Sequence, residues 1–137
     1  MKRIITLLSA GFTLAILFLS TVSCRKEMSI CQSVKDGVFS EIVNGKALTC
    51  EIVNTPNEPG GEIVLVCTNE TDYNVTIEVM VNNNTVGTIT QFPAEFRFIS
   101  IESGTYQFSI FGKLYPKNNP LRLVTSFRYG WSIPVLQ

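Results

Sequence analysis

The chain contains no histidine. That absence removes Ser-His-Asp and Cys-His nucleophile systems, imidazole metal sites and the commonest general base near neutral pH. Charge is sparse too: 11 basic and 11 acidic side chains among 137 residues cancel, which leaves no electrostatic footprint for nucleic acid. No Gly-rich phosphate loop is present; Gly60-Gly61 precedes a stretch of strand character rather than a helix, and reads as a turn. Glu70 and Asp72 lie two apart in a polar loop, far short of the roughly six to eight oxygen ligands that calcium takes. No stretch after residue 24 has the apolar spacing of an amphipathic helix. The expectation is a protein with no enzymatic activity, no cofactor, no metal and no nucleic-acid partner.

What is present starts at the N-terminus. Lys2 and Arg3 lead into a nearly unbroken apolar run from Ile4 to Leu19, which closes on Ser20-Thr21-Val22-Ser23-Cys24. A basic start, an apolar middle and small residues before a cleavage point form an export signal. With Cys24 directly after the small residues, the segment resembles the lipobox of bacterial lipoproteins, and its loose Ser-Cys ending is similar to that of Bacteroidota-like lipoproteins. The resemblance implies that Cys24 is lipidated and becomes the first residue of the mature protein, anchored to a membrane of the cell envelope on its periplasmic or surface face. Two other readings stay open. Thr21 and Ser23 satisfy the small-x-small rule of an ordinary signal peptidase, and the apolar run also has the makings of an uncleaved anchor. Residues 1–23 are thus expected as signal peptide, 24–37 as tether and 38–137 as a single domain with a sizeable core.

The four cysteines are Cys24, Cys31, Cys50 and Cys67. Cys50 and Cys67 flank the turn cluster Asn54-Thr55-Pro56-Asn57-Glu58-Pro59-Gly60-Gly61. If 47–53 and 62–68 are the arms of a hairpin, Cys50 faces Cys67 and Ile52 faces Leu65. A Cys50–Cys67 disulfide is the expected bridge, adding about 3 kcal/mol in the chain-entropy model. Cys31 is then the odd thiol, and its pairing with either remains open; if Cys24 carries no lipid, Cys24–Cys31 completes an even count. None of the spacings has the close pair usual in a zinc site.

Downstream, alternation dominates. Tyr73, Val75, Ile77, Val79 and Val81 share one face, Asn82-Asn83-Asn84 marks a tight turn, and Thr85–Thr90 resumes, which makes a hairpin. After Pro93, Phe96 and Phe98 share a face but Ile99 and Ile101 share the other, which suggests a bulge or a strand buried on both sides. Tyr106, Phe108 and Ile110 align after a turn at Glu102-Ser103-Gly104, and Pro116–Pro120 is a loop. Leu121, Leu123, Thr125 and Phe127 line one further strand, and Trp131, Ile133 and Val135 a short last one. Residues 28–40 are the least defined, fitting either a helical turn or a leading strand. The fold class is all-β: an antiparallel, immunoglobulin-like sandwich of about seven to eight strands. The segment Val75–Phe108 resembles small immunoglobulin-like or PEGA-like domains of bacterial surface lipoproteins, which implies a sandwich and no particular ligand. The immunoglobulin Cys-Trp-Cys pattern is absent, because Trp131 follows both candidate cysteines.

Tyr129 and Trp131 are the candidate contact residues, since aromatics are enriched in binding hot spots; against this, Trp131 shares parity with Ile133 and Val135, as a core residue would. Three sequons, at Asn69, Asn74 and Asn83, would matter in a eukaryotic source and otherwise belong to an Asn/Thr-rich β surface. The functional expectation is a lipid-anchored envelope protein whose sandwich serves protein interaction or structure. The alternatives are a small ligand-binding or inhibitor lipoprotein, and a eukaryotic secreted or type II-anchored glycoprotein.

Overall fold

The computed structural model describes residues 20–25 and 29–136; most of the expected signal segment and part of the tether lie outside them. Ten strands follow in order: β1 (Ser20–Arg25), β2 (Ile30–Lys35), β3 (Val38–Val43), β4 (Lys46–Asn54), β5 (Glu62–Asn69), β6 (Tyr73–Val81), β7 (Asn84–Ile89), β8 (Ala94–Ile99), β9 (Gly104–Pro116) and β10 (Thr125–Val135). They form two antiparallel sheets, ordered β1-β2-β3-β4-β5-β8 and β10-β9-β6-β7. The sequence expectation of an all-β sandwich is met, and two of its details change. The stretch 24–37 is not a free tether, because Ile30–Lys35 is a full strand of the larger sheet. Positions 125–135 are one continuous strand rather than two, with Leu121 and Leu123 left exposed in the preceding loop.

The seven strands β4–β10 carry the immunoglobulin-like arrangement. β4, β5 and β8 form one side, β10, β9 and β6 the other, and β7 joins β6 instead of β8. Alternation along each strand explains the layering. Leu48, Cys50, Ile63, Leu65 and Cys67 point inward from the larger sheet; Val75, Ile77, Val79, Phe108, Ile110 and Leu114 meet them from the smaller, all at 3% exposure or less. Glycine makes room at two points. A Cβ on Gly112 would collide with the ring of Phe127, and one on Gly87 with the ring of Phe96. Tyr106 closes the corner before β9: its hydroxyl donates to the Glu102 carbonyl at 2.7 Å and accepts from the Glu102 amide at 3.2 Å. This is the tyrosine-corner arrangement of immunoglobulin-like domains. Phe108, two residues on, stands where the second cysteine of an antibody domain would be.

The remaining strands, β1–β3, extend the larger sheet as a meander beyond β4. The turns from β2 to β3 and from β3 to β4 are two-residue hairpins with positive φ at both central residues: Asp36 (54°) with Gly37 (80°), and Asn44 (52°) with Gly45 (81°). Asn82 (52°) and Asn83 (69°) turn β6 into β7 in the same way, as expected. Register slips at Ile52/Asn54 and at Val79/Met80 leave Val53 and Val86 as extra residues, both exposed. No bulge interrupts β8; it ends at Ile99, so Ile99 and Ile101 face solvent.

Candidate functional site

The expected hairpin register is met: Cys50 lies opposite Cys67 and Ile52 opposite Leu65. The disulfide lies elsewhere. Cys24 on β1 lies opposite Cys31 on β2 and the two are bonded, while Cys50 and Cys67 are free thiols. Both free thiols are at 0% exposure. The hydrogen bond with Cys67 and the burial push the Cys50 thiol upward, so it stays protonated. A protonated, sealed thiol is a poor nucleophile. In this structure the pair therefore acts as small apolar packing between β4 and β5, in place of the expected bridge.

Tyr129 and Trp131 come from β10, an edge strand whose inward face lies over β3. Phe39 stacks on Tyr129 with ring centroids 5.1 Å apart and packs against Phe127 at 5.2 Å. Trp131 meets Tyr129 edge to face at 4.9 Å and donates its indole N–H to the Gly37 carbonyl at 2.8 Å. Burial raises the Tyr129 phenol above its ordinary range. The two candidate contact residues are thus brought together, and both rings are engaged within the chain, clasping the β2–β3 hairpin to the smaller sheet.

A second aromatic group was not legible as a site. On the outer face of the smaller sheet, Arg128, Phe111, Glu78 and Thr88 form one cross-strand row. The Arg128 guanidinium lies 4.3 Å over the Phe111 ring and the Lys113 ammonium 5.4 Å from it. Thr76, Glu78, Thr88, Phe111, Lys113 and Tyr115 enclose a shallow hollow of about 250 Å³. The signal was the outward parity of Phe111, Lys113 and Tyr115, opposite to Phe108, Ile110 and Leu114. A smaller polar hollow of about 160 Å³ lies beside the β1–β2 pair, lined by Ser23, Ile30, Gln32 and Glu41. Its position ties the residue before Cys24 to the inner face of β2.

The remaining polar groups brace loops. Asp72 pairs with Lys46 at 3.1 Å on the surface. Asn69 holds its own loop, donating to the Tyr73 carbonyl and accepting from the amide and hydroxyl of Thr71. Arg97 bridges Glu62 and Glu95 on the outer face of the larger sheet, and both carboxylates raise its pKa, Glu95 the more. Among the described residues no three His, Cys, Asp or Glu side chains are grouped to hold a metal ion. Comparison with known proteins found no matching family model, no matching curated protein and no matching solved structure.

Proposed function

We propose that this chain is an exported protein, tethered to the cell envelope by lipid on Cys24, whose sandwich is a non-catalytic module for protein interaction or structural support. One observation carries the reading: a basic start, an apolar run and small residues ending on a cysteine. The site chemistry agrees with it. The thiols Cys50 and Cys67 are sealed, the aromatic pair Tyr129 and Trp131 is engaged internally, and histidine is absent. The Bacteroidota-like lipoprotein resemblance and the immunoglobulin-like strand order point to the same class of surface protein.

Lipidation and the Cys24–Cys31 bond exclude each other, because one sulfur cannot carry both a thioether and a disulfide. The test is metabolic labelling with a palmitate analogue in a bacterial host, wild type against Cys24→Ser, with the intact mass of the product. The expected result is label in the wild type alone and a mass that starts at residue 24 plus lipid. An unlabelled wild-type chain that retains the Cys24–Cys31 bond overturns the proposal.

A further inference from the structure

Residues 20–23, the end of the expected signal segment, are seated in the structure as an edge strand. β1 pairs antiparallel with β2 from Ser20↔Lys35 to Arg25↔Ile30, and the Cys24–Cys31 bond fixes that register. Processing before Cys24, which is the reading proposed above, removes four of those six pairings. Lipid on the Cys24 sulfur removes the covalent tie as well. The two pairings left, at Cys24 and Arg25, are fewer than an ordinary strand makes. The maturation step therefore vacates the outer edge of β2.

That edge has little to keep another strand away. Natural edges are blunted by proline, bulges or inward charges, and Ile30–Lys35 contains no proline, pairs with β1 without a register shift, and has its one charge at its end. Its inner face reads Ile30, Gln32, Val34 and its outer face Cys31, Ser33, Lys35. The inner series is apolar–polar–apolar, so it complements itself when reversed. With Gln32 opposite Gln32 of a second copy, Ile30 meets Val34 on both sides and the two amides meet at the centre. Cys31 then meets Ser33. A two-fold axis normal to the sheet produces this pairing and keeps the inner faces of both copies on the same side.

We infer that the processed chain uses β2 to bind a second copy of itself, antiparallel and centred on Gln32, which joins the two larger sheets into one. The occupant follows from the strand already seated there, which shows that this edge accepts an antiparallel partner, and from the self-complementary order of Ile30, Gln32 and Val34. Lipid anchoring favours the same outcome, because confinement to one membrane raises the effective concentration of copies. In the unprocessed chain β1 occupies the edge, so pairing waits for maturation.

The test is a cysteine scan of β2 in the full-length gene expressed in a bacterial host. The lipidated protein is purified in detergent, oxidised with copper–phenanthroline in air and run without reductant. Directly opposed Cβ atoms lie about 4.5–5.5 Å apart, close enough for a disulfide after small adjustment. Gln32→Cys is expected to shift to a band of twice the monomer mass, and Ser33→Cys to do the same through Cys31 of the other copy. Val34→Cys, which faces Ile30, and the wild type are expected to remain monomeric. A Gln32→Cys chain that starts at Cys24 by mass and stays monomeric overturns the dimer alone, as does equal cross-linking of all variants. A chain that keeps residues 20–23 by mass overturns both the dimer and the lipoprotein reading.

Discussion

The central strands β4–β6, β9 and β10 are covered by a facing sheet, whereas β1 hangs beyond it and β2 reaches the core only through Ile30 and Val34. The difference shows in burial. In β5, Ile63, Leu65 and Cys67 are fully sealed; in β1 the described side chains Val22, Ser23 and Cys24 are all exposed, and in β2 only Ile30 is buried. β3 is the joint, because Phe39, at 1% exposure, lies against Phe127 and Tyr129 of the opposite sheet. A strand covered on one face draws stability from apolar burial. A strand beyond the second layer has little except its ladder and its covalent ties. The sandwich therefore has a sealed immunoglobulin-like part and an edge held by less, and it is at that edge that the proposed processing before Cys24 would act.

The largest expected break in that division is Phe39→Ala. Removing this ring deletes both aromatic contacts and leaves a cavity between the sheets, at a cost of about 3–5 kcal/mol. Denaturant unfolding is expected to report that loss in a single transition, with amide protection falling first in β2 and β3. A loss within about 0.5 kcal/mol, the range of a surface change, would mean that the meander is held by its ladder to β4 and by Ile30 and Val43 without this ring.

A second contrast separates the two cysteine pairs by pH. The Cys50 thiol is held above its ordinary value by its hydrogen bond with Cys67 and by burial, while bonded Cys24 and Cys31 do not titrate. As pH rises past the ordinary thiol value of about 8.5, the unfolded chain releases the Cys50 proton and the folded chain keeps it. Stability from this group is therefore complete below that value and declines above it, by about 1.4 kcal/mol per pH unit. Equilibrium unfolding under argon from pH 8 upward should show that extra slope in the wild type and lose it in Cys50→Val. Equal slopes would mean that Cys50 and Cys67 are joined, which would restore the bridge expected from their register.

The same division decides what could be read in advance. In the sealed part, alternation is clean because one face is covered, so Tyr73–Val81, its Asn82-Asn83 turn and the Cys50–Cys67 register were all legible. Register does not carry redox state, and the bond formed at Cys24–Cys31 instead. In the meander, Cys31-Gln32-Ser33-Val34-Lys35 packs only Val34 against the core, so it carries little apolar alternation and its pattern looks like a tether. The informative signals there were the turns Asp36-Gly37 and Asn44-Gly45, a strong hairpin signature that brackets β3. At the C-terminus the opposite error arose: Leu121 and Leu123 continue the parity of Phe127 but lie in an exposed loop. Gly130, which lies between the two expected strands, sits within β10 opposite Ser109. The Phe111–Arg128 row was not legible as a site, because parity marks both residues as outward without bringing the two strands together.

The smallest expected effect is the finest test of the joint. Trp131 reaches from the smaller sheet to the tip of the β2–β3 hairpin through one hydrogen bond, to the Gly37 carbonyl. Trp131→Phe removes that donor and retains a ring that can meet Tyr129. A single hydrogen bond of this kind contributes about 0.5–1.5 kcal/mol. The Gly37 carbonyl lies at a solvent-accessible turn, where water replaces the lost donor, so the low end applies. Hydrogen exchange should therefore quicken in the Asp36–Phe39 turn while β4–β10 remain protected. Quicker exchange throughout β9 and β10 would make Trp131 a residue of the sealed part. No change at the turn would leave the clasp to Phe39 with the buried Ile30 and Val43, and would return the Trp131 ring to consideration as a contact surface for an external partner.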